Sequence, residues 1–483
     1  MQLKENYTWM MVPLRIHADH LDVSETGLWQ PAELKLETHV FYDYIEQWLL
    51  AKANTKNRES LPQDAQSYSI YTLRPSRKAA DGDSPSQQKL LARLSAWKTF
   101  AATAWRQQRT GLAFRFMTDE QELMSVKLFV NEYAHNGLLL MPIRLDARHT
   151  EMTDLVTLNY FMDKTDRQVQ PCVPDADLST VDPRRLDSFR RMADGMGLSW
   201  TDGVGPQWTM NTLIAFLLGD FTGSYSLFNT TRIHLFTYLR VPRSEWQETE
   251  GRADFIRIVR SQNTTYAPPR QHLNDDSLFL QTFDNIYIGA SVEGGAMLVL
   301  SEPADDAKGA STFVHNFAKA NLAKRYLWVY IMVVLQRHSL LGLIGELSAV
   351  NRGRDEERSL DVIDSLLERL ATIKTCTYYT HISDYTQHNQ FYDYCTRQMH
   401  IREQYDEISE KMRLLETVAE GKKAEADEVR GRRLEIILAM LTIISGTCDL
   451  LSILGEGGMK TAGGLTTVVL LILLIVVVWN RKK

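Results

Sequence analysis

Five polar side chains near the C-terminus recur at a spacing that could line an aqueous path. Their successive separations of seven, three, four and three residues place them on one helical face. They are Glu435, Thr442, Ser445, Asp449 and Ser452. A carboxylate two turns inside an apolar run is costly unless it meets water or a partner. The stripe predicts a water-filled pore, and because one helix cannot enclose a pore, it also predicts an oligomer.

The stripe lies on the first of two apolar runs that predict a membrane hairpin. The first run, 436–454, would be roughly 28 Å long as a helix and could cross the hydrocarbon core. The second, 465–479, would be roughly 22 Å long and ends before a basic tail. Ser and Thr can also bond their own helix carbonyls, and Asp449 could reach the headgroups. A tail anchor without a pore is therefore the alternative.

A second group of residues could bind a phosphorylated ligand in the N-terminal region. Guanidinium groups bind phosphate, so the arginine pairs that follow Asp182-Pro183 are the first candidates. Two arginines at the end of a candidate strand and one aspartate after an apolar run are the second. In order, these candidates are Arg184, Arg185, Arg190, Arg191, Arg144, Arg148 and Asp220. The alternatives are a solvated basic face for the arginines and a helix-ending turn for the aspartate.

Composition limits the remaining functional classes. The chain has 483 residues and a net charge of −6, which gives no bulk attraction to nucleic acid. Its four cysteines are scattered and predict free thiols rather than a disulfide framework or a zinc site. The sequence contains neither a phosphate-binding glycine loop nor a recognisable catalytic constellation, so we expect no enzymatic activity and no certain metal site.

The charges around the hairpin predict its orientation. Basic residues precede the first run and follow the second, whereas the loop between them has only Lys460. The positive-inside rule places both termini in the cytoplasm. The N-terminus lacks a basic-then-apolar signal pattern. We therefore expect a multi-pass protein of the inner, cytoplasmic membrane.

The elements that must position these residues fall into three predicted regions: 1–310, 311–433 and 434–483. The first is a mixed α+β or α/β cytoplasmic domain. Its predicted strands are 9–16, 113–117, 138–145, 233–241, 255–260 and 296–302, with a hairpin that turns at Glu293-Gly294-Gly295. Its predicted helices are 39–53, 88–105 and 207–218.

The second region predicts long stalk helices. The apolar run Leu327–Leu335 has only nine residues and charged flanks, so we expect a buried helix rather than a membrane span. From Ile401 to Ala419, apolar residues alternate at steps of four and three, a coiled-coil pattern that continues without proline into the first apolar run.

This organisation resembles the CorA family of metal-ion transport proteins. Leu441-Thr442-Ile443-Ile444 is similar to a run in the family's pore helix, and Gly458-Met459-Lys460 falls near its Gly-Met-Asn signature. The resemblance covers roughly 400–483. It implies a homopentamer in the lipid bilayer, with an outer pore mouth at Glu456, Gly458, Met459 and Lys460.

The departures from the family pattern point to a divergent branch. Lys460 stands where the family has the Asn that meets the hydrated cation, and five ammonium groups there would repel Mg²⁺. The long N-terminal region is similar to that of CorA-like proteins associated with type III CRISPR systems. That resemblance implies an antiviral effector gated by a nucleotide messenger such as SAM-AMP. A divergent Mg²⁺ transporter and a tail-anchored scaffold are the alternatives.

Overall fold

The fold is described from a computed structural model. It describes residues 1–17, 27–32, 40–42, 45, 68–77, 80, 83–118, 123–131, 135–172, 182–307, 309–350, 365–371, 373 and 379–414, with isolated residues and short stretches as far as 439. The chain forms two compact units, Met1–Ser409 and Glu410–Lys483. The predicted boundaries after 310 and 433 remain predictions.

The first unit is built around a large, mostly antiparallel sheet, which confirms the mixed α+β class. The strands of this sheet are β1 (Glu5–Ile16), β2 (Trp29–Pro31), β3 (Ser69–Leu73), β4 (Trp105–Gln107), β5 (Ala113–Phe116), β6 (Lys127–Asn131), β7 (Asn136–Leu145), β8 (Val169–Pro171), β11 (Tyr225–Leu227), β12 (His234–Pro242), β13 (Leu280–Phe283), β14 (Ile286–Ala290) and β15 (Gly294–Ser301). They run in the order β13-β14-β15-β12-β1-β7-β5-β4-β8, and β6 pairs with β7 and β3. A separate hairpin joins β9 (Ser199–Thr201) to β10 (Gly205–Gln207).

Helices cover both faces of the sheet. They are α1 (Pro85–Ala102), α2 (Met152–Met162), α3 (Pro183–Met196), α4 (Met210–Leu218), α5 (Glu248–Val259), α6 (Arg270–Leu273), α7 (Leu327–Val350) and α8 (Thr386–Gln398). Short 3-10 turns occupy Gly219–Phe221, Arg243–Glu245 and Asp276–Leu278. A π-helical stretch, Ala318–Tyr326, leads into α7. A further helix follows α8 over residues 401–414.

Alternation along the central strands decides which helix covers which face. Thr8 of β1 lies opposite Thr237 of β12, and both hydroxyls bond Asn159 of α2. The next pair, Trp9 and Phe236, points the other way, and the Phe236 ring lies 4.3 Å from that of Tyr330 in α7. Because side chains alternate across a strand, one face packs on α2 and the opposite face on α7.

The apolar helix α7 belongs to the core of the first unit. Leu327 to Leu335 are each at most 2% exposed, which confirms the predicted buried helix. Within the described residues, one helical segment, Ala318–Ser348, is long and apolar enough to span a membrane, and 83% of its most apolar window is buried inside the protein. By itself that segment is weak evidence for a membrane protein. The predicted spans, apart from 436–439, lie outside the described residues.

The strand predicted at 255–260 is wrong, because residues 255–259 belong to α5 and Arg260 caps its C-terminal end. The segment is rich in β-branched and aromatic residues, but its buried positions Phe255, Ile258 and Val259 follow helical spacing and pack on the sheet. Three boundaries also differ: α1 ends at Ala102, so that Trp105 begins β4, α4 begins at Met210, and the β14–β15 turn is formed by residues 291–293. The other predicted strands are confirmed.

Candidate functional site

A cleft of about 580 Å³ lies where α1, β5, the end of β7 and α3 come together. Two cationic side chains come from α1 and α3, and two come from β5 and the loop after β7. They are Lys98, Arg185, Arg115 and Arg148. The remaining wall includes the apolar Ala102, Ala104 and Phe189, the thiol of Cys172, and the hydroxyl-bearing Thr99, Thr103 and Ser188. The cleft is therefore a cationic cavity whose wall is partly apolar.

Local sequence explains how α3 presents its part of the cleft. Asp182 caps the helix by accepting a hydrogen bond from the Arg184 amide, and Pro183 occupies the first turn, as predicted. Gly197 ends the helix in the left-handed conformation at φ 65°. One turn into the helix, the Arg185 guanidinium lies 5.5 Å from the centre of the buried Phe189 ring. This cation–π contact holds Arg185 over the cleft wall.

Asp146 holds the two guanidiniums that come from the sheet side. Its carboxylate accepts hydrogen bonds from Arg148 Nε at 2.9 Å and from Arg115 Nε at 3.2 Å. Arg115 also donates to the Ala102 carbonyl at the end of α1. Partial burial opposes ionisation of Asp146, but the bonds from Arg148 and then Arg115 outweigh it and lower the pKa of the carboxyl. Asp146 therefore stays charged and fixes both arginines in place.

The cleft carries excess positive charge. Four cationic side chains line it, and Asp146 pairs with two of them, Arg115 and Arg148. The side chains of Arg115 and Arg148 remain 54% and 62% exposed, so both guanidiniums keep contact with solvent. A guanidinium has five N–H donors, and the bonds described use only some of them. The arrangement can bind an anion whose oxygens accept several hydrogen bonds at once.

Two of the predicted ligand residues, Arg148 and Arg185, meet in this cleft. Arg144 instead lies 5.9 Å from the centre of the Tyr7 ring, and Arg190 lies 5.8 Å from that of Trp200. Arg184 is exposed on α3, and Arg191 bonds the Asp187 carbonyl. None of these four lines the cleft.

Asp220 lies in the 3-10 turn that ends α4, as the structural alternative predicts. Its carboxylate accepts hydrogen bonds from Arg93 Nη1 at 2.5 Å and from the Leu28 amide at 2.9 Å. These bonds join α1, α4 and the segment before β2. A ligand role for Asp220 stays a prediction.

Sequence reasoning missed Lys98, Arg115 and Phe189. A signal existed for Arg115, because in β5 it is the exposed residue between the buried Phe114 and Phe116. For Lys98 the sequence holds no such signal, since an exposed lysine on an amphipathic helix is ordinary.

The predicted pore residues lie almost entirely outside the described part of the chain. Glu435 is the exception, and it is exposed on a short helical stretch, 434–439. Among the described residues, no group of three His, Cys, Asp or Glu side chains is arranged to hold a metal ion. Cys172 and Cys395 are free thiols.

In comparisons with known proteins, no family model, no curated protein and no solved structure matches the chain.

Proposed function

We propose that the protein is a ligand-gated membrane channel whose N-terminal domain binds a nucleotide messenger. The messenger, of the SAM-AMP class, occupies the cationic cleft. The C-terminal hairpin assembles with other copies, most simply as a pentamer, into a cytoplasmic-membrane pore lined by the stripe that includes Asp449. In this proposal the pore acts in antiviral defence.

The convergence of Lys98, Arg115, Arg148 and Arg185 on one cleft carries the ligand half of the proposal. The cleft volume falls within the range of small-molecule sites. Its charge suits phosphate, and its apolar wall suits a nucleobase or ribose. Two of these four cationic residues, Arg148 and Arg185, are also ligand candidates from the sequence alone.

The described end of the second unit supports the membrane half. Three aliphatic side chains of the 434–439 helix are strongly exposed: Leu434 is 59%, Ile437 53% and Leu438 59% exposed. Their i, i+3 and i+4 spacing places them on one helical face, at the start of the first apolar run. Contiguous exposed apolar surface is a mark of a membrane or protein contact.

Gating then requires that the ligand favour one conformation of the domain over another. Binding shifts the equilibrium only by the difference in affinity between closed and open states. The helix that begins at Ile401 continues the chain toward the hairpin. A change in the direction of this helix would widen or narrow the pore that the polar stripe lines. In this proposal the ligand opens the pore.

The ligand half is tested by calorimetric titration of SAM-AMP into the purified full-length protein. We expect Arg148→Gln and Arg185→Gln each to weaken binding by at least about tenfold, because each removes a charge-assisted hydrogen bond worth roughly 1.5–3 kcal/mol. Arg191→Gln is the matched control. It removes the same charge from the same helix as Arg185→Gln but from outside the cleft, and we expect nearly unchanged affinity.

Equal loss in all three variants would contradict the cleft assignment, because it would mean that general positive charge attracts the ligand. Unchanged affinity in Arg148→Gln and Arg185→Gln would place the site elsewhere. If the wild-type protein fails to bind SAM-AMP, the nucleotide proposal itself is wrong. A monomer or dimer in mild detergent would favour the tail-anchored scaffold.

A further inference from the structure

A second, smaller cleft of about 230 Å³ shares no lining residue with the cationic cleft. It is bounded by the end of α5, the β14–β15 turn and the turn that precedes Ile401. Its floor is apolar and is formed by Ile256, Val259, Leu278, Phe279 and Ala290. Three ionisable side chains stand at its rim: Arg260, Glu293 and His400.

The rim carries opposite charges that do not neutralise each other. Arg260 donates to the Tyr266 hydroxyl at 3.3 Å, and no carboxylate among the described residues pairs with it. Within the described residues, the Glu293 carboxylate has neither a hydrogen bond nor an ion pair, and its charge acts on Arg337 through space. An unpaired cation and an unpaired anion around an apolar floor match a molecule that carries both charges.

Backbone strain marks the same place. Among the described non-glycine residues, three have a left-handed backbone: His400, at φ 56°, lines this cleft, and Ser261, at φ 48°, directly follows the lining residue Arg260. The third, His135, lies in the β6–β7 turn. Strained residues persist where the surrounding structure fixes them, and they concentrate at ligand clamps and switch regions.

Unsatisfied polar atoms lie behind the cleft wall. The Ser261 hydroxyl is buried and, within the described structure, has no hydrogen-bond partner. The buried Nε of Arg337 is likewise unpaired there, although its Nη1 donates to the carbonyl of Val292 in the wall. Buried polar groups are normally satisfied, so such exceptions call for an explanation.

We propose that this cleft binds a small zwitterion of the amino-acid class with an aliphatic side chain. The ligand carboxylate pairs with the Arg260 guanidinium, and the ligand ammonium pairs with Glu293. The aliphatic side chain covers Ile256, Val259 and Phe279. The small volume excludes a whole dinucleotide, which separates this site from the cationic cleft.

Occupancy would act on the start of the C-terminal helix. His400 lines the cleft, and its carbonyl accepts a hydrogen bond from the Gln404 amide in the first turn of that helix. A ligand against His400 therefore favours one direction of the helix. This consequence alone rests on the proposed channel function, whereas the binding site does not.

The test is calorimetric titration of L-leucine into the full-length protein, with leucinol and isocaproate as matched probes. Leucinol lacks the carboxylate and isocaproate lacks the ammonium group. We expect saturable binding of L-leucine and at least about tenfold weaker binding of both analogues. Glu293→Gln should weaken L-leucine binding by a similar factor and should leave isocaproate binding unchanged.

Asp202→Asn is the control, because it removes one exposed carboxylate from the β9–β10 turn and should leave L-leucine affinity unchanged. Absence of saturable L-leucine binding would overturn the proposal. Equal affinity for leucine and either analogue would also overturn it, because a zwitterion would then not be required. SAM-AMP binding is measured separately, so failure here leaves the cationic cleft untouched.

Discussion

Val333→Asp is expected to unfold the first unit of the protein. Val333 is 0% exposed in the middle of α7, where the helix packs against the central sheet. A carboxylate placed there has no partner, and burying an unpaired charge is among the most destabilising single changes known. We expect a loss of about 4 kcal/mol or more in the free energy of unfolding. Denaturant unfolding of the full-length protein, followed by tryptophan fluorescence, measures it.

Ser348→Asp is the matched control for this prediction. It places the same carboxylate on the same helix at an exposed position, where the cost should stay within about 0.5 kcal/mol. Two variants of equal stability would contradict the assignment of α7 to the protein core. That outcome would reopen the membrane interpretation of Ala318–Ser348.

Acidification is expected to destabilise the same region through two buried histidines. Burial lowers the pKa of His338 to about 4, with the bond to the Val334 carbonyl opposing this and nearby Arg337 adding to it. Burial, together with Arg337 and His338, also lowers the pKa of His234. Between the lowered pKa and the ordinary value of 6.5, the unfolded chain binds more protons than the folded one. Stability is therefore full above pH 6.5 and falls as the pH drops toward 4.

For His338 alone, the loss over that interval should approach about 3 kcal/mol. Denaturant unfolding at a series of pH values measures it. We expect His338→Gln to flatten much of the dependence, because glutamine fills a similar space and does not titrate. His17→Gln changes an exposed histidine and should leave the dependence intact. A wild-type stability curve that is flat between about pH 6.5 and 4 would show that folding does not lower the pKa of either buried histidine.

The sequence predicts those elements for which the local residue pattern and the tertiary packing favour the same secondary structure. Strands β1, β7, β12 and β15 are rich in apolar residues and almost continuously buried, because helices cover both of their faces. The Asp182-Pro183 start of α3 was predictable for the same reason, since the cap forms within four residues. In α5, local β propensity and tertiary packing disagree, and packing decides.

The cationic cleft was only half predictable. Arg148 and Arg185 were recognised from local arginine spacing, but nothing local shows that the end of β7 lies beside α3. That proximity depends on the pairing of β5 with β7 and on the contact between α1 and α3. Arg115 enters the site through the same long-range pairing. The second cleft was not predictable from local sequence, because its three ionisable residues, Arg260, Glu293 and His400, are separated by 33 and 107 positions.

We propose that a nucleotide opens a pore formed by this chain, and ion flux tests this directly. Proteoliposomes containing the full-length protein are assayed for flux of Mg²⁺ and of a monovalent cation, before and after addition of SAM-AMP. We expect flux to appear only with the nucleotide, to be lost in Arg148→Gln/Arg185→Gln, and to change in ion preference in Asp449→Ala. Steady Mg²⁺ flux that is the same with and without the nucleotide would contradict gating and favour a divergent transporter. Absence of flux of either ion, with and without the nucleotide, would contradict the pore.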